Sequence, residues 1–60
     1  MKLSEISVGQ WVVYRPHHPG AQPEDGEVTE IRRDLVMVRY RGDRTAKATY
    51  PGDLEPGAPA

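Results

Sequence analysis

Apolar and polar residues alternate most regularly between Leu35 and Arg41. Val36, Val38 and Tyr40 fall on one side, and Leu35, Met37, Arg39 and Arg41 on the other. A period of two is the signature of a strand with one face on a core. Gly42-Asp43 then supplies a hairpin turn, after which Thr45–Tyr50 is expected to return antiparallel. Trp11–Tyr14 predicts an earlier strand whose two sides, Trp11 with Val13 and Val12 with Tyr14, are both apolar; either pair suits the core. Between these strands lies Gly26–Arg33, whose apolar anchors Val28 and Ile31 are three apart. That odd spacing breaks the alternation and predicts a bulge or a sharp bend. Arg33-Asp34 reads as a tight turn.

The remaining segments are punctuation. Leu3, Ile6 and Val8 stand among polar residues, with Ser4 placed to cap a single helical turn and Gly9 to end it. Pro16–Asp25 holds three prolines and a glycine and reads as a loop, because proline fixes φ and removes donors from a ladder. Pro51-Gly52-Asp53 predicts a 3-10 turn that delivers Leu54 to the core. Five short strands with tight turns, and one long loop after the first, describe an all-β chain curled into a small barrel, which would remove exposed edges. Residues 1–9 are expected as a turn packed on the barrel, 10–56 as the barrel, and 57–60 as a disordered tail.

Size limits what this barrel can do. Sixty residues with 37% hydrophobic content give a thin core, or one shared with a partner. Cysteine is absent, so neither a disulfide nor a thiolate metal site adds stability. The longest apolar runs are Trp11–Tyr14 and Leu35–Val38, too short for a membrane span or a signal peptide, and the expected location is cytoplasmic.

Net charge is −1, but it is unevenly spread. Up to Ile31, Lys2 and Arg15 stand against Glu5, Glu24, Asp25, Glu27 and Glu30. From Arg32 to Lys47, six cations (Arg32, Arg33, Arg39, Arg41, Arg44 and Lys47) stand against Asp34 and Asp43. Guanidinium groups at strand spacing bind phosphates, and Tyr50 is available to stack on a base. The same cations would be a solvated face if Glu27 and Glu30 pair with them across strands.

Catalytic signals are weak by comparison. His17 and His18 are adjacent in the loop, whereas metal ligands converge from separated positions, so solvated histidines are expected and no metal. Ser4 and Ser7 are the only serines, both near a turn. Glu24-Asp25 and Asp53/Glu55 read as turn and solubility residues. No glycine loop cradles phosphate. Arg41-Gly42-Asp43 spells an adhesion tripeptide, but as a hairpin tip the letters serve geometry. No catalytic residue, cofactor or small-molecule substrate is expected.

The ordered series Val8–Arg15, Asp25–Ile31, Leu35–Asp43 and Tyr50–Pro56 resembles the Tudor-type branch of SH3-like barrels. That resemblance implies a five-stranded barrel with a 3-10 turn before its last strand. Tudor domains hold methylated lysine or arginine in an aromatic cage, whose third-strand tyrosine corresponds to Tyr40. Asp43 stands where that family often has another aromatic. Small phage and bacterial proteins are similar in the same segments. Tyr50–Glu55 also resembles the closing segment of type II dihydrofolate reductases, which work as tetramers. Lys47-Ala48-Thr49 replaces the Val-Gln-Ile run before that family's tyrosine.

The reading taken from the sequence is a non-enzymatic interaction module. Its expected contact residues for a protein partner or a second copy are Leu35, Met37, Arg39, Tyr40 and Arg41, with Tyr14 and Tyr50. Leu35 and Met37 would lie outside beside arginine, an aliphatic–aromatic–arginine mixture enriched at interfaces. The alternative is nucleic-acid binding through Arg32, Arg33, Arg39, Arg41, Arg44 and Lys47. An oligomeric reductase-like enzyme is the weaker third reading, and no membrane contact is expected.

Overall fold

A computed structural model describes residues 1–57. The chain is all-β, with strands β1 (Trp11–Tyr14), β2 (Glu24–Ile31), β3 (Val36–Tyr40), β4 (Lys47–Thr49) and β5 (Leu54–Pro56). They form one antiparallel sheet in the order β4-β3-β2-β1-β5. Two 3-10 turns accompany it, Leu3–Glu5 at the start and Pro51–Asp53 directly before β5. The sheet is not closed by hydrogen bonds: β4 and β5 are its two edges.

One face of the sheet carries the core. Val12, Val28, Val36, Val38, Tyr40 and Leu54 are buried there together with Ile6, which comes from the segment after the first 3-10 turn. Met1, Leu3 and Tyr14 pack against this cluster at its margin. Burying each aliphatic side chain contributes about 1.5–3 kcal/mol, so a single well-filled layer carries much of a domain this small. The ambiguity of β1 is resolved by Val12, which is fully buried, leaving Trp11 and Val13 half-buried on the other side.

The expected bulge is present in β2. Val28 pairs with Val38 and Glu30 with Met37, so Thr29 is the extra residue, and its hydroxyl donates to the Met37 carbonyl at 3.3 Å. The bulge resets the alternation, placing Ile31 opposite Val36. Earlier in β2, Gly26 lies between Val12 and Tyr40. A Cβ there would meet Val38 Cγ1 at 2.7 Å, the Arg39 carbonyl oxygen at 2.8 Å and Tyr40 Cα at 2.9 Å. Only glycine lets β2 approach β3 this closely.

The tight turns also follow the sequence. Gly42 has φ +89, and the Asp43 N–H donates to the Tyr40 carbonyl at 2.9 Å, closing the hairpin tip. At the other end of β3, Arg32 N–H donates to the Leu35 carbonyl at 2.9 Å.

Several local expectations are corrected. Ser4 does not cap the first turn; it lies within it. Glu5 does the capping, its carboxylate accepting from the Lys2 backbone N–H at 2.7 Å. Glu24 and Asp25 are not loop residues but open β2, paired with Tyr14 and Val13. The true loop is therefore 15–23, and its entry is tied to the end of the chain. Arg15 pairs with Glu55, and its N–H donates to the Asp53 carbonyl; His17 Nε2 lies 2.8 Å from Asp53 Oδ1. Gly57 does not begin a tail, because its N–H donates to the Trp11 carbonyl at 3.0 Å and prolongs the β1–β5 ladder. The rest of the expected tail, 58–60, lies outside the described residues. Among the described residues no helix is long and apolar enough to cross a membrane.

Candidate interaction site

The face of the sheet opposite the core is assembled by strand parity. β1 contributes Trp11 and Val13, β2 contributes Asp25, Glu27 and Glu30, and β3 contributes Met37 and Arg39, with Arg41 just beyond. β4 contributes Ala48, the partner of Met37. Leu35 and Tyr50 flank Met37 and Ala48 with the same parity, and Tyr50 is 67% exposed.

Arg41 organises the centre. Its backbone N–H donates to the Asp25 carbonyl at 2.9 Å, so the two residues sit side by side on neighbouring strands. Its Nη2 and Nε then donate to Asp25 Oδ2 at 2.6 and 3.1 Å. The guanidinium carbon lies 5.3 Å from the centroid of the Trp11 ring, within cation–π range. The Arg41 hydrogen bond holds the Asp25 carboxyl below the usual carboxylate range, and the carboxylate in turn raises Arg41. One row along the sheet, Arg39 Nη2 stands 3.6 Å from Glu27 Oε1. The result is an acidic column on β2 beside a basic column on β3 that Met37 continues, bordered by Trp11 and Val13 of β1 on one side and by Ala48 of β4 on the other.

Not every expected contact residue belongs to this face. Leu35, Met37, Arg39 and Arg41 do, and Tyr50 is available beside them. Tyr40 is not, because it shares parity with Val36 and Val38 and is only 6% exposed. Its hydroxyl is 2.7 Å from Thr49 Oγ1, a buried pair of polar groups satisfying each other, and burial pushes the phenol above its ordinary value. Tyr14 has the parity of Val12 and meets the Tyr40 ring edge-on at 6.1 Å between centroids, at the rim of the core. The two tyrosines therefore brace the interior, and Tyr40 does not present its ring on the outer face.

The six-cation set is likewise divided. Lys47 pairs with Val38, so it projects on the core side of the sheet edge, away from Arg39 and Arg41, and lies 3.4 Å from Asp43. Arg32 holds Glu30 at 3.1 Å. Only Arg33 and Arg44 of the six lack an ion-pair partner among the described residues, and they occupy turns at opposite ends of β3. Acids on β2 hold three of the others, an outcome for which Glu27 and Glu30 gave the sequence signal. Asp25 gives no such signal, because Pro23 just before it reads as loop while the structure starts β2 at Glu24.

Trp11 and Val13 are the residues that sequence reasoning left out of the site. The signal was present as the second apolar face of β1, but which face that was depends on the core. Among the described residues there is no concave pocket, and no group of three or more His, Asp or Glu is placed to hold a metal ion. Comparison with protein-family models, curated proteins and solved structures finds no match to this chain.

Proposed function

We propose that this chain is an SH3-like domain of Tudor type that acts as a non-enzymatic interaction module. The fold reading is supported by the strand order, with β5 beside β1 and a meander from β1 to β4, and by the 3-10 turn before β5. The functional reading is carried by one observation. The outer sheet face gathers Trp11, Val13 and Met37, all half-buried, beside the exposed Arg39 and Arg41. Aromatic, methionine and arginine groups are what protein interfaces enrich at their centres, and paired carboxylates give such a face register as well as area.

The test uses a photo-crosslinking residue at Met37 and, as a control, at Val8, which is exposed near the N-terminal turn. The expected result is a discrete protein adduct from position 37, absent from position 8, that is lost on Trp11→Ala. Adducts that are equal at both positions would overturn the reading.

Nucleic-acid binding is the weaker alternative. Four of its six cations already hold carboxylates of their own chain, and the two that do not are separated by the length of β3. It predicts retention on nucleic acid that falls steeply with salt and is lost on Arg33→Ala with Arg44→Ala.

A further inference from the structure

We infer that the partner of the outer face is a second copy of this chain, packed face to face about a two-fold axis parallel to the strands and running between β2 and β3. This rests on the protein-contact reading above and names the occupant of that surface. The strand register points to it. Glu27 is the ladder partner of Arg39, and Asp25 lies beside Arg41. A two-fold axis parallel to the strands keeps each residue at its own level along the strand while exchanging the positions of β2 and β3. The second copy's Glu27 then lies over Arg39, and its Asp25 over Arg41. Each guanidinium sits between two carboxylates and each carboxylate between two guanidiniums, so the ion pairs within each copy merge into one network across the interface.

The charges also choose between axes. A two-fold perpendicular to the strands, in the plane of the face, would lay each strand column over itself. Asp25, Glu27 and Glu30 would then confront their own copies, and Arg39 and Arg41 theirs. Like charges at an interface are strongly disfavoured, so this arrangement is excluded by the same columns that favour the first.

Shape agrees with charge. The operation that exchanges β2 with β3 also lays β1 of one copy over β4 of the other. The large side chain of β1 on this face is Trp11, and the outward residue of β4 is Ala48. Trp11 is level with Glu27 and Arg39, and Ala48 with Met37, so the second copy's indole meets the β4 edge one outward position before Ala48, where the small alanine beside it leaves room at the margin. Met37 lies under the second copy's Glu30, where its thioether packs against the aliphatic stem of that acid.

The contact is small. The whole molecule measures only 30 × 22 × 19 Å, so none of its faces is large. Stable interfaces bury about 800 Å² per partner, so a face of this size is expected to give a weak dimer that forms only at high concentration.

The test is a pair of charge reversals. Glu27→Arg and Arg39→Glu each place like charges across the axis, so each variant alone is expected to remain monomeric in sedimentation at concentrations where the native chain associates. Mixed in equal amounts, the two restore opposite charges across every contact and are expected to recover association to the native level. A native chain that stays monomeric to about 1 mM overturns the proposal. So does a mixture that associates no better than its components. If either variant fails to fold, a nitroxide on Thr45→Cys in otherwise native chain, mixed with isotope-labelled native chain, is expected to broaden the Trp11 indole resonance. An unbroadened indole overturns the proposal too. A monomer whose position 37 still crosslinks to a different protein sinks the dimer alone and leaves the contact reading standing.

Discussion

Gly26→Ala tests whether β2 really lies as close to β3 as the geometry requires. The new methyl carbon would stand 2.7–2.9 Å from Val38 Cγ1, the Arg39 carbonyl oxygen and Tyr40 Cα. Two of these three atoms are backbone, held by the ladder, so relief requires the strands to part at the centre of the sheet. Overpacking of this kind costs about 1–3 kcal/mol. At roughly 0.05–0.15 kcal/mol per residue, a domain of this size has only a few kcal/mol in total. In a 60–100-residue domain each kcal/mol moves Tm by about 4–8 °C, so the expected loss is on the order of 5–20 °C. Two other glycines serve as controls. Gly52→Ala adds a methyl group to open space at a position without positive φ, and is expected to be neutral or stabilising by up to about 1 kcal/mol. Gly42→Ala also meets open space but forces a side chain to φ +89, so its cost is conformational alone. Thermal and urea unfolding followed by circular dichroism rank the three. If Gly26→Ala melts with Gly52→Ala, the close approach of β2 and β3 is wrong, and with it the register that defines the outer face.

Tyr40→Phe removes one partner of the buried hydroxyl pair with Thr49 and is expected to destabilise by about 0.5–1.5 kcal/mol in urea unfolding; no loss would mean the pair is not formed. Because burial raises the Tyr40 phenol, the folded chain holds that proton more tightly than the unfolded one. Its contribution is complete below the ordinary tyrosine value near pH ~10 and is lost as pH climbs through the folded value. The urea midpoint should therefore fall in strongly alkaline solution, and fall less in Tyr40→Phe; parallel curves would refute this. Asp25 behaves oppositely. Its carboxyl is lowered by Arg41, so its contribution is present above the ordinary carboxylate value and lost as pH falls through the folded one. Since Arg41 also covers Trp11, acidification is expected to change tryptophan emission, and Asp25→Asn to produce the same change at neutral pH. An emission indifferent to both would show that Asp25 does not position Arg41.

The sequence by itself determined the all-β class, the strand centres, an irregularity between Val28 and Ile31, the hairpin glycine and the arrival of Leu54 in the core. Each of these is a local matter: alternation has a fixed period, proline and Gly42 fix backbone angles, and three-residue spacing between Val28 and Ile31 admits only an irregular strand. Tertiary structure alone decided which face of β1 is inside, because Val12 with Tyr14 and Val13 with Trp11 are equally apolar. It decided that Asp25 belongs to a strand and meets Arg41, and that Lys47 leaves the arginine face. It also turned Tyr40 inward, onto a hydroxyl from β4. These outcomes depend on register between segments distant in the chain, and a shift of one residue would exchange every inside position for an outside one. That register also set acids beside arginines, so a run of cations in the sequence became a face of alternating columns.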